Sequence, residues 1–250
     1  MTDPNTPPAS GGASVLRTNS PIGRQSFDRL INDLATNRPR TVLDHGCGWG
    51  GMLLDILEAM PNTSGTGIDI KESYIDQARM AAKQRGLADR VVFQAESSAD
   101  YAGSADLVLN VGSYQAFGTI SEALSRLRSS TTPSGHLVFG AEFWSAVPTD
   151  NQLAHMWPGT TIDDALLLPD LVDKVTSAGW RVLDLRTSTS QEWEEFECGH
   201  LRNREQWLVT HPEHESATEI RDELDKARMM WLRGHRDVMG FVTFILAKDG

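Results

Sequence analysis

A glycine-rich turn between an apolar strand and an amphipathic helix is the feature that most constrains this fold. Val42 and Leu43 are apolar and β-prone, and the segment 44–51 that follows reads Asp-His-Gly-Cys-Gly-Trp-Gly-Gly. Residues 52–60 then carry apolar side chains at helical spacing. In α/β sheets this arrangement brings backbone N–H groups to a ligand, because glycine allows a close approach. The segment therefore predicts a binding site for a nucleotide-like cofactor.

Strands and helices alternate through most of the chain. The first strand is predicted around Val42 and Leu43, and further strands at 65–70, 91–96, 106–112, 136–143, 180–185 and 240–247. Helices are predicted at 25–35, 52–60, 72–84, 120–127, 168–178, 191–209 and 214–233. Such alternation predicts a mostly parallel sheet with right-handed crossovers, an α/β fold.

Two kinds of segment fall outside this alternation. Residues 1–14 are rich in Pro, Gly, Ser and Thr, and we expect them to be a disordered tail. Residues 15–250 form one expected domain, since a chain of this length can bury a large core. Within that domain, 144–166 and about 189–235 are predicted to form a cap over the sheet.

Composition limits the classes of binding partner and the cellular compartment that we expect for this protein. The net charge of −11 argues against nucleic acid, whose binding needs clustered Lys and Arg. Two cysteines, Cys47 and Cys198, do not suggest a structural disulfide, and a reducing cytoplasm fits best. No apolar run approaches 18 residues, so we expect neither a membrane span nor a secretory signal.

The acidic residues around the turn bear on the choice of cofactor. Gly46, Gly48 and Gly51 fit the dinucleotide pattern G-x-G-x-x-G, and Asp69 ends the second strand, where an acid binds ribose hydroxyls. These residues allow both NAD and S-adenosylmethionine. Asp44 distinguishes the two, because a carboxylate repels a pyrophosphate but favours a sulfonium and an ammonium group. Unit charges 4 Å apart interact by about 4 kcal/mol at an effective dielectric constant of 20.

With Asp44 followed by Gly46, Gly48 and Gly50, the chain resembles the class I S-adenosylmethionine-dependent methyltransferases over about residues 40–145. The resemblance implies a Rossmann-like, seven-stranded, mostly parallel sheet in the order 3-2-1-4-5-7-6. Its last strand is antiparallel, and helices cover both faces. It also implies methyl transfer from S-adenosylmethionine, with S-adenosylhomocysteine as the product.

The resemblance implies a role for each motif. The turn would bind the methionine part of the cofactor, and Asp69 would bind the ribose. Ile70 would lie beside the adenine. Glu96 occupies the position where the family usually has an Asp that contacts the adenine amino group. The implied cofactor-binding residues are Asp44, Gly46, Cys47, Gly48, Gly50, Asp69, Ile70, Glu96, Ser97, Asn110 and Val111.

The segments 113–118, 142–144 and 193–197 resemble a small-molecule branch of the family. That branch often has His-Ala where this chain has Gln115-Ala116, so a histidine base is absent there. The acceptor is expected to be a small molecule methylated on oxygen or nitrogen. Candidate catalytic residues are Glu142, Tyr114 and His155, with Glu142 first because it lies near the end of a central strand.

Other interpretations stay open at this point. One alternative is an NAD-dependent oxidoreductase, another is a non-catalytic S-adenosylmethionine-binding regulatory subunit, and a third is a protein or RNA methyltransferase. No metal is expected, because Cys198, His200, His211 and His214 have poor spacing for a structural zinc site. The helices between 191 and 233 suit either a lid or the interface of a homodimer.

Overall fold

Seven strands form one sheet in the computed structural model, which describes residues 6–11 and 15–249. The strands are β1 (Thr41–His45), β2 (Ser64–Asp69), β3 (Val91–Ala95), β4 (Ala105–Val111), β5 (Thr131–Trp144), β6 (Trp180–Thr187) and β7 (Met239–Lys248). They lie in the order β3-β2-β1-β4-β5-β7-β6, with β7 antiparallel to both of its neighbours. The predicted strand order is confirmed.

Helices connect the strands. The α-helices are α1 (Arg24–Ala35), α2 (Gly51–Ala59), α3 (Glu72–Gln84), α4 (Ile120–Ser130), α5 (Asp150–Leu153), α6 (Leu168–Ser177), α7 (Ser190–Thr210) and α8 (Ala217–Met229). Short 3₁₀ turns cover Tyr114–Phe117 and Ile162–Asp164, and a π-helical turn covers Met230–His235. None of the helices in the described part of the chain is long and apolar enough to cross a membrane.

Capping boxes fix where two of the long helices begin. The Thr119 hydroxyl accepts a hydrogen bond from the backbone N–H of Glu122, whose carboxylate accepts one from the N–H of Thr119. Thr189 and Glu192 repeat this arrangement at the start of α7. Each box satisfies N–H groups that the first helical turn leaves without a partner.

Separate apolar cores cover the two faces of the sheet. On one face, α1, α2 and α3 pack around fully buried residues such as Leu53 and Ile56. On the other, α4 and α6 pack against Leu137, Phe139 and Trp180. This confirms the prediction of helices on both faces, and it leaves the ends of the strands free to build a site.

The order of connections reverses between β1 and β4, which are neighbours in the sheet. Ligands of open α/β sheets bind at the carboxyl ends of the strands at such a reversal. The glycine turn follows β1 directly, and residues 112–113 follow β4. The fold therefore brings these two segments together.

Some boundaries differ from those predicted. β5 begins at Thr131 rather than 136, because Thr131 pairs with Ala105 while residues 132–135 bulge out of the ladder. The last long helix begins at Ala217 rather than 214 and gives way to the π-helical turn. Of the predicted N-terminal tail, residues 1–5 and 12–14 lie outside the described residues, and 6–11 contain no helix or strand.

Candidate active site

Backbone hydrogen bonds anchor the glycine turn to β2. The N–H groups of Gly46 and Cys47 both donate to the carbonyl oxygen of Ile68, at 2.8 and 2.9 Å. The Asp69 carboxylate accepts from the N–H of Gly48 at 2.9 Å and, through its other oxygen, from the N–H of Lys71 at 2.9 Å. Asp69 thus positions the turn as well as ending the strand.

Gly48 lies at the open side of the turn. Its φ of +54° is in the left-handed region, which residues with a Cβ rarely adopt. A Cβ built there would meet no atom within 4 Å, so space for a ligand adjoins the backbone. This is the geometry expected of a turn that approaches a bound molecule closely.

A cavity of about 140 Å³ lies over the turn. The implied cofactor-binding residues that line it are Asp44, Gly46, Cys47, Gly48, Asp69 and Val111. The segment after β4 supplies another wall, and residues 18–20 supply a third. The volume is below the roughly 300–1,000 Å³ of drug-sized ligand pockets.

Asp44 gives the cavity its electrostatic character. The residue is 4% exposed, and no group in the described part of the chain donates a hydrogen bond to its carboxyl. Burial, as the larger cause, and the nearby Asp69 carboxylate together raise the pKa of Asp44 to about 8. A buried acid without a partner suits a cationic ligand, so the residues present fit the ammonium and sulfonium groups of S-adenosylmethionine.

A polar network beneath the turn was not identified from the sequence. Asn110 is fully buried and donates to the His45 carbonyl oxygen at 3.1 Å and to the Ser113 hydroxyl at 2.8 Å. Ser113 donates to the same carbonyl oxygen at 2.7 Å. The network joins the end of β1 to the residues after β4, so Asn110 supports the turn and does not itself line the cavity.

The His45 ring fills the space below this network. It is fully buried, and its edge contacts with Tyr101 and Phe117 have ring centroids 6.1 and 5.2 Å apart. Burial, as the larger cause, and the positive charge of Arg126 together lower the pKa of His45 to about 4. The ring is therefore neutral at physiological pH and acts as an aromatic support.

The expected adenine-side residues lie outside the cavity. Ile70 is 81% exposed, an unusual position for an isoleucine and one that a flat ring could cover. Glu96 donates its backbone N–H to the Asp69 carbonyl oxygen at 3.1 Å, which brings Glu96 and Ser97 beside the end of β2. Gly50, at the start of α2, packs against Phe93 and Ala78 and does not line the cavity.

Residues 17–20, here called the N-terminal strap, are held against the turn. The Arg17 carbonyl oxygen accepts from the indole N–H of Trp49 at 3.2 Å and lies 1.8 Å from the position that a Cβ would take on Gly51. The Arg17 guanidinium pairs with Asp55, which is 4% exposed. The second oxygen of Asp55 binds Arg85 at 2.6 Å. Only a glycine at position 51 permits this contact.

The candidate catalytic residues occupy two regions. Tyr114 lies close enough to Glu142 and Asp164 that their charges, together with burial as the larger cause, raise the pKa of Tyr114. Burial also raises the pKa of Glu142, which pairs with Phe241 across β5 and β7. His155 lies in the cap, with its Nδ1 2.7 Å from the carbonyl oxygen of Asn151, and does not line the cofactor cavity.

Comparisons with known proteins agree with this geometry. A family model described as a methyltransferase domain matches residues 43–137. The uncharacterized protein YjhP of Escherichia coli (strain K12) is 27% identical over 235 residues, covering 93% of this chain and 94% of that protein.

Solved structures of methyltransferases are also similar to this chain. A SAM-dependent methyltransferase from Geobacter sulfurreducens, crystallised with S-adenosyl-L-homocysteine, is 26% identical with a TM-score of 0.84 over 95% of this chain and 96% of its own. Its counterpart from Thiobacillus denitrificans, also with S-adenosyl-L-homocysteine, is 27% identical with a TM-score of 0.83 over 95% and 96%. The alternative of an NAD-dependent oxidoreductase finds no support in these likenesses. This chain thus carries a methyltransferase domain at residues 43–137 and is similar over nearly its whole length to S-adenosylmethionine-dependent methyltransferases of the same class I fold.

Proposed function

We propose that this enzyme transfers a methyl group from S-adenosylmethionine to an oxygen or nitrogen atom of a small molecule. The observation that carries the proposal is the buried, unpaired Asp44 carboxyl on the wall of the glycine-turn cavity. Such a group is costly unless a cation binds beside it. The homocysteine-containing complexes of the Geobacter and Thiobacillus enzymes support the same cofactor.

The residues around the cavity bind the cofactor and orient it for methyl transfer. S-adenosylmethionine supplies an electrophilic methyl group when bound. Asp44 stabilises positive charge, Asp69 orients the turn and offers oxygens near a ribose, and Gly48 leaves room for the backbone to approach. In-line displacement depends strongly on orientation, which can supply roughly 7–11 kcal/mol of the barrier.

A small acceptor is favoured over a macromolecule. The strap and the residues after β4 enclose the cofactor cavity on two sides, which limits the access of a large substrate. The net charge of −11 also disfavours RNA as the acceptor. We therefore place the acceptor near Tyr114 and Glu142, at the ends of β4 and β5.

Thermal unfolding in the presence of candidate ligands tests the cofactor. At 100 times its dissociation constant a ligand stabilises the native state by about 2.7 kcal/mol, which raises the melting temperature by roughly 5–11 °C. We expect this rise with S-adenosylmethionine and S-adenosylhomocysteine but not with NAD. A rise with NAD alone would overturn the proposal.

Replacement of Glu142 tests the proposed base. A base must be ionised, so the rate with a hydroxyl acceptor is expected to increase with pH across the raised pKa of Glu142. The substitution Glu142→Gln is expected to lower kcat by about a hundredfold or more while S-adenosylhomocysteine binding is unchanged. Glu215→Gln, at an exposed loop position, is the matched control. Equal rates for the two variants would exclude Glu142 as the base.

A further inference from the structure

Residues on both sides of the N-terminal strap contact α7. Before the strap, the Leu16 side chain packs against Gly199, where any Cβ would overlap it. After the strap, the N–H of Gly23 donates to Oε1 of Glu192 at 2.9 Å. Glu192 and Gly199 are seven positions apart on α7, so they lie on one face of the helix, two turns from each other. Helix α7 therefore holds the strap at two points.

A cavity of about 480 Å³ lies between the strap and α7. Phe196 and Arg202 line it on the α7 side, between and beyond the two contact points. Thr18 and Ser20 of the strap line this cavity and also line the cofactor cavity. The strap is thus a partition between two spaces, and its contacts with α7 at the flanks determine where that partition lies.

The two oxygens of the Glu192 carboxylate accept different hydrogen bonds. Oε2 accepts from the N–H and the hydroxyl of Thr189, at 2.8 and 3.0 Å, and so completes the capping box of α7. Oε1 accepts from Gly23, outside the helix. Burial by itself would raise the pKa of Glu192, but hydrogen bonds from Thr189, Ser26 and Gly23 lower it overall. The group is therefore ionised near neutral pH, and an ionised carboxylate is a strong acceptor.

The capping box of α4 has the same geometry without a contact to the strap. Oε2 of Glu122 accepts from the N–H and the hydroxyl of Thr119, at 2.7 and 2.8 Å. No group in the described part of the chain donates to Oε1 of Glu122. The bond from Gly23 to Glu192 is therefore additional to what a capping box requires.

We propose that Glu192 and Gly199 are positioning residues for the methyl donor. This inference rests on the proposed function, which puts the donor in the cofactor cavity. Neither residue lines that cavity. Both fix the flanks of the strap, and the strap supplies one wall of the cavity. When a flank is released, a smaller fraction of the molecules holds the strap in place, and the apparent affinity for the donor falls by that fraction.

Alanine substitutions at the two capping boxes test Glu192. Glu192→Ala and Glu122→Ala each remove one capping box and are expected to lower the melting temperature by similar amounts. Glu192→Ala also removes the bond to Gly23. It is therefore expected to weaken S-adenosylhomocysteine binding about fivefold or more, measured by isothermal titration calorimetry, and to speed its dissociation, measured by stopped-flow displacement.

The control variant Glu122→Ala is expected to bind S-adenosylhomocysteine as the unaltered protein does. Glu192→Gln keeps one acceptor oxygen in place of two, so its affinity is expected to lie between those of Glu192→Ala and the unaltered protein. Equal affinities of Glu192→Ala and Glu122→Ala would overturn the role of Glu192.

Alanine at Gly199 tests the other contact independently. Its Cβ would displace Leu16, whereas alanine favours a helix more than glycine does. Gly199→Ala is therefore expected to keep or raise the melting temperature of the free protein and yet to weaken S-adenosylhomocysteine binding about fivefold or more. Cys198→Ala, at the exposed neighbouring position on α7, is the control. Binding by Gly199→Ala as tight as that by Cys198→Ala would overturn the role of Gly199.

Binding by the unaltered protein separates this inference from the proposed function. If the unaltered protein does not bind S-adenosylhomocysteine, the proposed function is wrong. If it binds, and both Glu192→Ala and Gly199→Ala bind equally well, the strap keeps its place independently of α7. That result would overturn this inference and leave the proposed function intact.

Discussion

The Asp44 carboxyl is expected to make cofactor binding depend on pH. With its pKa raised to about 8, this group is mostly protonated near neutral pH in the free protein. A bound cation favours the carboxylate, so binding of S-adenosylmethionine is expected to release a proton below about pH 8. The affinity should therefore rise with pH between about 6 and 8 and level off above, by at most tenfold per pH unit. Calorimetric titration with S-adenosylmethionine across this pH range measures the change in affinity.

Asp44 is also expected to make the free energy of unfolding depend on pH. The folded pKa of Asp44 lies above the ordinary value of 3.8, so the native state binds more protons than the unfolded chain. The free energy of unfolding contributed by this group is therefore expected to fall as pH rises from about 4 to about 8. In Asp44→Asn this part of the pH dependence should disappear from denaturant unfolding curves. An unchanged pH profile in the variant would contradict the prediction.

Two glycines offer a matched pair of substitutions. Gly48 and Gly86 both have positive φ, +54° and +67°, and a Cβ at either would meet no atom within 4 Å. Alanine at each position is expected to cost a similar backbone strain of about 1–2 kcal/mol in denaturant unfolding. Only Gly48→Ala should also weaken S-adenosylhomocysteine binding, since Gly86 follows α3 away from the cavity. Equal binding by both variants would exclude close cofactor contact at Gly48.

Individual residues of the site could be predicted from the sequence where they lie close together along the chain. Asp44 and the glycines lie within one short segment, so the motif alone identified several residues of the cavity wall. Asn110 contacts the His45 carbonyl oxygen across 65 positions, and this contact exists only because β1 and β4 are neighbours in the sheet. Glu197 on α7 lies 2.7 Å from Nε2 of the buried His235 on the π-helical turn, a contact across 38 positions that likewise depends on tertiary packing.

At the scale of elements, the N-terminal strap is expected to control cofactor exchange. It supplies one wall of a cavity that is too small for the whole cofactor as it stands. Arg17→Ala removes the guanidinium from the buried Asp55 but leaves Arg85 beside it. We expect a loss of about 1–2 kcal/mol of stability and a several-fold faster dissociation of S-adenosylhomocysteine, measured by stopped-flow displacement.

Arg24→Ala provides the control for the strap. Arg24 forms an exposed ion pair with Asp28, 3.4 Å apart, on α1. Exposed pairs of this kind contribute little, about 0–1 kcal/mol. The dissociation rate of Arg24→Ala should match that of the unaltered protein. If Arg17→Ala has that rate too, the strap does not limit exchange.

Element boundaries could be predicted except where tertiary packing overrides local signals. The fifth strand was predicted to begin at 136, yet it begins at Thr131 because the ladder with β4 accepts a bulge. The helical spacing near 230 predicted a regular helix. The π-helical turn forms there instead, where Gly234 packs against the backbone of His155 in the cap.

At the scale of the whole molecule, net charge predicts the class of partner. A charge of −11 leaves little attraction for a phosphate backbone, whose non-specific complexes depend on Lys and Arg contacts. We expect no binding of transfer RNA below about 100 µM at physiological salt, measured by fluorescence anisotropy. Micromolar binding would favour the RNA methyltransferase alternative over a small acceptor.

The matched methyltransferase domain covers residues 43–137, whereas the strap lies before this range and Glu142 lies after it. The glycine turn that we propose to bind the methyl donor and the proposed base Glu142 are thus encoded in separate stretches of the gene. We expect that mutation or recombination in the flanking stretches can change the methyl acceptor while the segment that binds the methyl donor stays intact. Exchange of these flanks between related chains is therefore a direct route to new acceptors.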